Sequence, residues 1–270
     1  MIDVQTKKEI LRRLAAAEIE HDIKVIYAVE SGSRAWGFAS PNSDYDVRFI
    51  YVRKQDWYLS VDVEDKRDVI EYPIVDEMDI SGWDIRKALK LFWKSNPSFI
   101  EWLQSPIVYK DDDFFVHKAR ELLPTIAVSQ KGIYHYLNMA KANFREYLSK
   151  DCVLLKKYFY VLRPLLAVMW LEKYDQPAPI EFEKLRNLVA GNTPLDEAIT
   201  ELLERKKACL ETEHIPKLPL INQFIESELD RREPWVASQK DRDADFEVLN
   251  RLFKAVLERN EKRSIYNRSL

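Results

Sequence analysis

The sequence predicts an α+β fold whose first half carries a sheet and whose second half is all helical. Three observations carry that reading. Short apolar runs rich in β-branched and aromatic residues alternate with helical periodicities as far as about residue 110. Beyond Asp111-Asp112-Asp113 the apolar residues recur only at helical intervals. No internal repeat or low-complexity tract competes with a globular reading. The expected organisation is a domain over residues 1–110 and a helical domain over 111–270. A chain of 270 residues is long enough for that division.

Ile10, Leu11, Leu14, Ala15 and Ala17 follow a three-to-four spacing, which predicts a helix over residues 5–20. Residues 24–29 are a short apolar run suited to a buried strand. Val47 to Val52 reads as a second strand, Asp68 to Pro73 as a third and Asp76 to Ile80 as a fourth. Ser81 and Asp84 have capping-box spacing, which predicts a helix start there, with Ile85, Ala88, Leu89 and Phe92 on one face. Asn96-Pro97 pairs a capping residue with a first-turn proline and predicts the next helix. Ile133, Leu137, Ala140, Phe144 and Tyr147 form one helical stripe, and Leu155, Tyr158, Leu162, Leu165 and Met169 another. Pro164 removes a hydrogen bond inside the second stripe, so a kink is expected there. Two further helices are expected near 182–210 and 240–260.

Bulk properties exclude several classes. Hydrophobic residues make up 46% and charged residues 32%, an ordinary balance for a globular protein. No apolar run reaches the roughly 20 residues of a bilayer span, and the first nine residues lack a signal-peptide core. Cys152 and Cys209 have no paired spacing, which argues against a disulfide framework or a zinc site and for the cytoplasm. A formal net charge of −3 does not suit non-specific binding of long nucleic acid. Residues 141–173 lean basic, which suits either a triphosphate contact or a solvated helix face. His21, His117, His135 and His214 are scattered, and no lysine-bearing phosphate loop, nucleophile elbow or dinucleotide fingerprint is present.

The chemistry concentrates in residues 31–46. An apolar strand ends in Ser31-Gly32-Ser33, ten residues intervene, and Asp44-Tyr45-Asp46 opens the next strand. Gly32 allows backbone to approach a ligand where a Cβ would clash. Ser33 can then offer its hydroxyl and amide to a β- or γ-phosphate, and Arg34 can add a charge-assisted contact. Alternate strand side chains share a face, which places Asp44 and Asp46 together. Two close carboxylates repel unless a cation lies between them, and magnesium uses one or two carboxylates plus substrate phosphates. A third carboxylate is needed from an adjacent strand. Asp79 is the choice, since Met78 and Ile80 flank it in strand-like alternation, with Asp76, Glu77 and Glu71 competing. Asp84 is explained as a helix cap. Arg48 shares the face of the aspartates and either pairs with a carboxylate or reaches a phosphate. Trp83, Trp93 and Trp102 are expected to pack between the halves, and Trp36 or Tyr45 is a lesser candidate for stacking on a base.

Gly32-Ser33, the ten-residue gap and Asp44-x-Asp46 resemble the active-site motif of the DNA polymerase β-like nucleotidyltransferase superfamily. The stretches Glu30 to Phe38, Ser43 to Val52, Ser81 to Leu89 and Asn96 to Pro106 are similar to a narrower group, the predicted nucleotidyltransferases associated with bacterial RNA-repair pathways. The resemblance is specific over about residues 25–110 and looser over 131–173. It implies a mixed-sheet catalytic core, a nucleoside triphosphate donor and two Mg2+ ions, with Mn2+ as the alternative. It implies catalytic and metal-binding roles for Asp44, Asp46 and Asp79, and phosphate contact by Ser33. A helical segment that closes over the nucleotide in the wider superfamily suits Lys156, Lys157 and Arg163. The expected reaction moves a nucleoside monophosphate onto a hydroxyl, an RNA end being favoured on family grounds alone. A protein- or small-molecule-modifying transferase and a non-catalytic nucleotide-binding regulator are the rivals.

Overall fold

In the computed structural model, which describes residues 2–232 and 245–268, the first half is built around a five-stranded mixed sheet. Its strands are β1 (Lys24–Glu30), β2 (Tyr45–Val52), β3 (Val69–Glu71), β4 (Met78–Asp84) and β5 (Val108–Asp111), in the order β3-β4-β2-β1-β5. β2 and β4 run parallel, and every other neighbouring pair is antiparallel. The helix α1 (Val4–Glu20) opens the chain, capped by the Asp3 carboxylate, which accepts from the amides of Gln5 and Thr6. The short helix α2 (Gly32–Trp36) fills the loop between β1 and β2, and α3 (Gln55–Tyr58) follows β2.

Strand alternation sorts the sheet into two buried faces. Val47, Phe49 and Tyr51 of β2 lie with Met78 and Ile80 of β4 against Ile10 and Leu14 of α1. Ile50 and Val52 point the other way, into a core completed by α4 (Ile85–Trp93), α5 (Pro97–Gln104), α6 (Phe115–Ile126) and α12 (Glu247–Arg268). Asp46 and Arg48 share the parity of Ile50 and Val52. The second face is therefore apolar at one end of β2 and polar at the other.

The remaining helices form a second core. α7 (Ser129–Tyr147) and α8 (Lys156–Tyr174) pack against α9 (Phe182–Arg186), α10 (Thr193–Ala208) and α11 (Pro219–Arg231). This half also holds a two-stranded antiparallel ribbon, β6 (Cys152–Leu154) with β7 (His214–Pro216). The two cores divide elsewhere than at residue 110. Phe115, Val116, Ala119 and Ile126 of α6 and Leu249, Leu252 and Val256 of α12 are buried with the sheet. Phe38, which follows α2, is buried in the helical core, its ring 4.6 Å from that of Phe159 and 5.6 Å from that of Phe182.

Several local expectations change. Ser81 to Asp84 do not start a helix; β4 runs through them, and Asp84 alone caps α4 by accepting from the Arg86 amide at 2.8 Å. Pairing with β2 residue by residue outweighs the capping pattern. Trp83 and Trp102 stack on each other at 3.9 Å in the sheet-side core, which residues from beyond 110 complete, and Trp93 meets Phe246 at 4.9 Å. The expected helix over 182–210 divides into α9 and α10. The last expected helix is α12, and residues 240–244 of that expectation lie outside the described residues. α8 passes through Pro164 as one helix.

Gly82 shows how tightly β4 is fitted. A Cβ there would lie 2.2 Å from the ring of Phe49. Gly82→Ala should therefore destabilise the protein by about 1–3 kcal/mol through overpacking, read as a lowered midpoint in urea.

Candidate active site

The parallel register of β2 and β4 sets Asp46 directly opposite Asp79. Their carboxylates share one cationic nitrogen: Arg48 Nη2 donates to Asp46 Oδ1 at 3.1 Å and to Asp79 Oδ2 at 2.7 Å. Burial pushes the Asp46 carboxyl above its ordinary range. Arg48 opposes the rise, and the negative charges of Asp79 and Asp44 add to it.

Gly32 closes the site from the side of α2. Its φ is +59°, and a Cβ on it would fall 1.9 Å from Asp46 Oδ2. Both facts demand glycine, the first for backbone sterics and the second because the carboxylate occupies that space. The Asp46 backbone is fixed as well: its carbonyl accepts from the Ser31 amide at 2.8 Å and its amide donates to Glu30 Oε1 at 2.9 Å.

Glu30 is fully buried at the end of β1, where the other strand positions after Lys24 are apolar. Burial pushes its carboxyl up to about 7, against hydrogen bonds from the Tyr109 hydroxyl and the Asp46 amide. The Tyr109 contact to Oε2 is 2.5 Å. Sequence reasoning assigned Glu30 no role, although an acidic residue closing a buried apolar strand was the available signal.

Asp44 precedes β2 rather than lying in it, so strand alternation does not align it with Asp46. Among the described residues, no three acidic, histidine or cysteine side chains gather closely enough to hold an ion. The converging pair is Asp46 with Asp79, and Asp44 borders it. Arg34 is taken up in holding this bend. It donates to the carbonyls of Asp44 at 3.1 Å and Ser43 at 2.5 Å, and its guanidinium lies 3.9 Å from the centre of the Tyr45 ring. Ser33 is in α2, where its carbonyl accepts from the amides of Gly37 and Phe38.

α8 faces this region with its first turns. Burial, with the negative charges of Glu211, Asp46 and Asp44, pushes the Tyr160 hydroxyl up to about 12, which records its nearness to the acidic residues. Lys157 lies over the rings of Tyr147 at 3.6 Å and Tyr160 at 4.7 Å, and desolvation lowers its ammonium pKa, helped by Lys156. Lys156 pairs with Glu211 at 3.3 Å. Glu211 also accepts from the Ser43 hydroxyl and from the buried Lys206 at 2.8 Å, while its amide donates to Asn42 at 2.9 Å. The loop that leads into Asp44 is thus tied to the end of α10, a link no local sequence signal reveals.

Arg163 is not free to meet a triphosphate. It is buried with Glu101 at 2.9 Å, and its guanidinium lies 4.6 Å from the Trp36 ring. Tyr136 also donates to Glu101, at 2.7 Å, and Trp36 Nε1 donates to it at 3.4 Å. Trp36 is built into this junction between the halves. Residues expected to grip a ligand here hold the two cores together instead.

This mixed sheet, carrying paired aspartates beside a Gly-Ser turn, is that of a nucleotidyltransferase of the DNA polymerase β type. The chain belongs to the RNA repair pathway DNA polymerase beta family (RlaP), whose family model matches residues 6–255. It is 47% identical over 225 residues to the uncharacterized protein YcgL of Bacillus subtilis strain 168, an alignment covering 83% of this chain and 86% of that protein. Among solved structures, a nucleotidyltransferase-like protein from Exiguobacterium sibiricum 255-15 aligns over 82% of this chain and 75% of its own, at 12% identity and a TM-score of 0.32.

Two outcomes test these contacts. The ordinary Glu30 carboxyl value is 4.5, and the folded value is raised to about 7, so the folded state binds the proton more tightly. That contribution to stability is complete below pH 4.5 and is lost as pH rises to about 7. Denaturant titrations between pH 5 and 8 should show Glu30→Gln losing less stability with rising pH than wild type. Arg163→Leu leaves the Glu101 carboxylate buried without its cation and should cost about 3–5 kcal/mol in the same assay.

Proposed function

We propose that the protein transfers a nucleoside monophosphate from a nucleoside triphosphate to the hydroxyl of an RNA end. The acceptor oxygen attacks the α-phosphorus and gives up its proton, the bond from that phosphorus to the bridging oxygen breaks, and pyrophosphate leaves. The observation that carries this reading is the sharing of one cation position by Asp46 and Asp79, against a glycine whose missing Cβ leaves room for a carboxylate. RNA as the acceptor rests on membership of an RNA-repair family.

The donor set fits magnesium or manganese. Two hard carboxylates converge on one point, and such ions complete their shell with water and substrate phosphates. Asp46 and Asp79 would hold the ion, with Asp44 at its border. When bound, the metal supplies Lewis-acid stabilisation of charge on the transferring phosphoryl group. A second ion would call on Asp44, whose negative charge bears on Asp46.

The chain's own residues orient and fence the reaction. Glu30 and Ser31 fix the backbone of Asp46, and Gly32 leaves space for its carboxylate. Arg34 holds the bend that carries Asp44. Lys157 at the start of α8, held over the rings of Tyr147 and Tyr160, is the cation assigned to the triphosphate. Lys156 serves there only by loosening its pairing with Glu211. Ser33 is assigned a phosphate contact on the strength of the motif.

Incubation with each α-labelled triphosphate, Mg2+ and RNAs of defined termini tests this reading. Label should enter RNA with release of pyrophosphate. Asp46→Asn and Asp79→Asn should each lower turnover about a thousandfold or more, the loss of several kcal/mol of charge stabilisation, with circular dichroism unchanged. Undiminished transfer by either variant, or label entering no RNA, would refute it.

A further inference from the structure

Arg48 occupies the position that a metal ion shared by Asp46 and Asp79 needs. Its Nη2 bonds both carboxylates, and its Nη1 donates to the Asp79 carbonyl at 2.8 Å and the Val47 carbonyl at 3.2 Å. The guanidinium is therefore seated on the backbone of the two strands that present the aspartates. It lies two residues from Asp46 on the same strand and face, so the geometry is built into β2 and its register with β4. The three side chains are partly shielded, Arg48 being 18% exposed, Asp46 28% and Asp79 30%.

We propose that Arg48 is an internal competitor for divalent metal, so that the site takes up its ion effectively only when a nucleotide arrives to draw the guanidinium away. This rests on the nucleotidyltransferase reading and specifies how that site is regulated. Magnesium sits about 2.0–2.1 Å from its oxygen ligands. It cannot bridge Asp46 Oδ1 and Asp79 Oδ2 at the point Nη2 holds while Nη2 donates to both. Arginine cannot relieve the conflict by losing its proton, because its pKa exceeds about 12. It must move, and leaving two carboxylates for water is unfavourable without a new partner. A polyphosphate is such a partner, since its oxygens accept the planar fork in two parallel bonds. The same phosphates add ligands for the metal. Metal and nucleotide binding then become mutually favourable, each raising the affinity of the other by the same factor.

The test measures metal occupancy without turnover. Free Mn2+ is followed by electron paramagnetic resonance while it is titrated into wild type, Arg48→Gln and Arg48→Lys, with and without the α,β-methylene analogue of ATP. Without nucleotide, Arg48→Gln should bind Mn2+ about tenfold or more tightly than wild type, because a positive charge a few ångströms away has been removed. The analogue should tighten Mn2+ binding more in wild type than in Arg48→Gln, narrowing the gap. Arg48→Lys keeps the charge but loses the fork that grips both carboxylates and backbone. It should bind Mn2+ severalfold more tightly than wild type, and it carries the comparison if the Gln variant fails to fold. Equal or weaker Mn2+ binding in the Arg48 variants overturns the proposal. Asp46→Asn separates the two levels: Mn2+ binding that this variant leaves intact overturns the site and the competitor together. Binding that Asp46→Asn abolishes, but that Arg48 substitution leaves unchanged, overturns the competitor alone.

Discussion

Two like charges held face to face are the constraint around which the first half is organised. Parallel pairing of β2 with β4 makes Asp46 and Asp79 neighbours across the ladder, and like charges in that position repel. A cation beside such a pair, or a proton kept by one member, relieves the repulsion, and Arg48 is the cation in this structure. The surrounding features follow from the crowding. Gly32 yields its Cβ space to one oxygen of Asp46, Glu30 pins the amide of the same residue, and Arg34 braces the bend just upstream.

The second half contributes support from a distance. Phe38 anchors the loop after α2 among Phe159 and Phe182, and Glu101 joins Arg163, Tyr136 and Trp36 in a buried polar junction. Glu211 fastens Ser43 and Lys156 to one carboxylate. A buried charge left without its partner costs several kcal/mol, so these junctions hold the halves in one arrangement while they remain paired. The placing of Ser43 and of the start of α8 thus depends on interactions outside the motif as much as on the motif itself.

Much of this was legible along the chain. The strand before Ser31, the strand after Asp44, the helix of residues 5–20 and the two long helices of the second half all follow from spacing of apolar residues. Asp79 was also legible, because Met78 and Ile80 alternate around it and the register then delivers it opposite Asp46. Asp44 lies one residue before β2, where strand alternation no longer dictates its direction, and its charge still bears on Asp46. For Arg163 local rules point to solvent or a ligand, because its buried partner Glu101 lies sixty-two residues away.

The sequence by itself determined the local periods, the Gly-Ser turn and the acidic residues available for chemistry, because each depends on neighbours within a few positions. Tertiary structure decided which charges meet. Arg48 could turn to a phosphate or to a carboxylate as far as local rules say, and only the register of β2 with β4 gives it both aspartates at once. Glu30 and Glu211 likewise gain their roles from partners that are distant in the chain and adjacent in space. Electrostatic interaction depends on separation in space and on burial, and a linear sequence specifies neither.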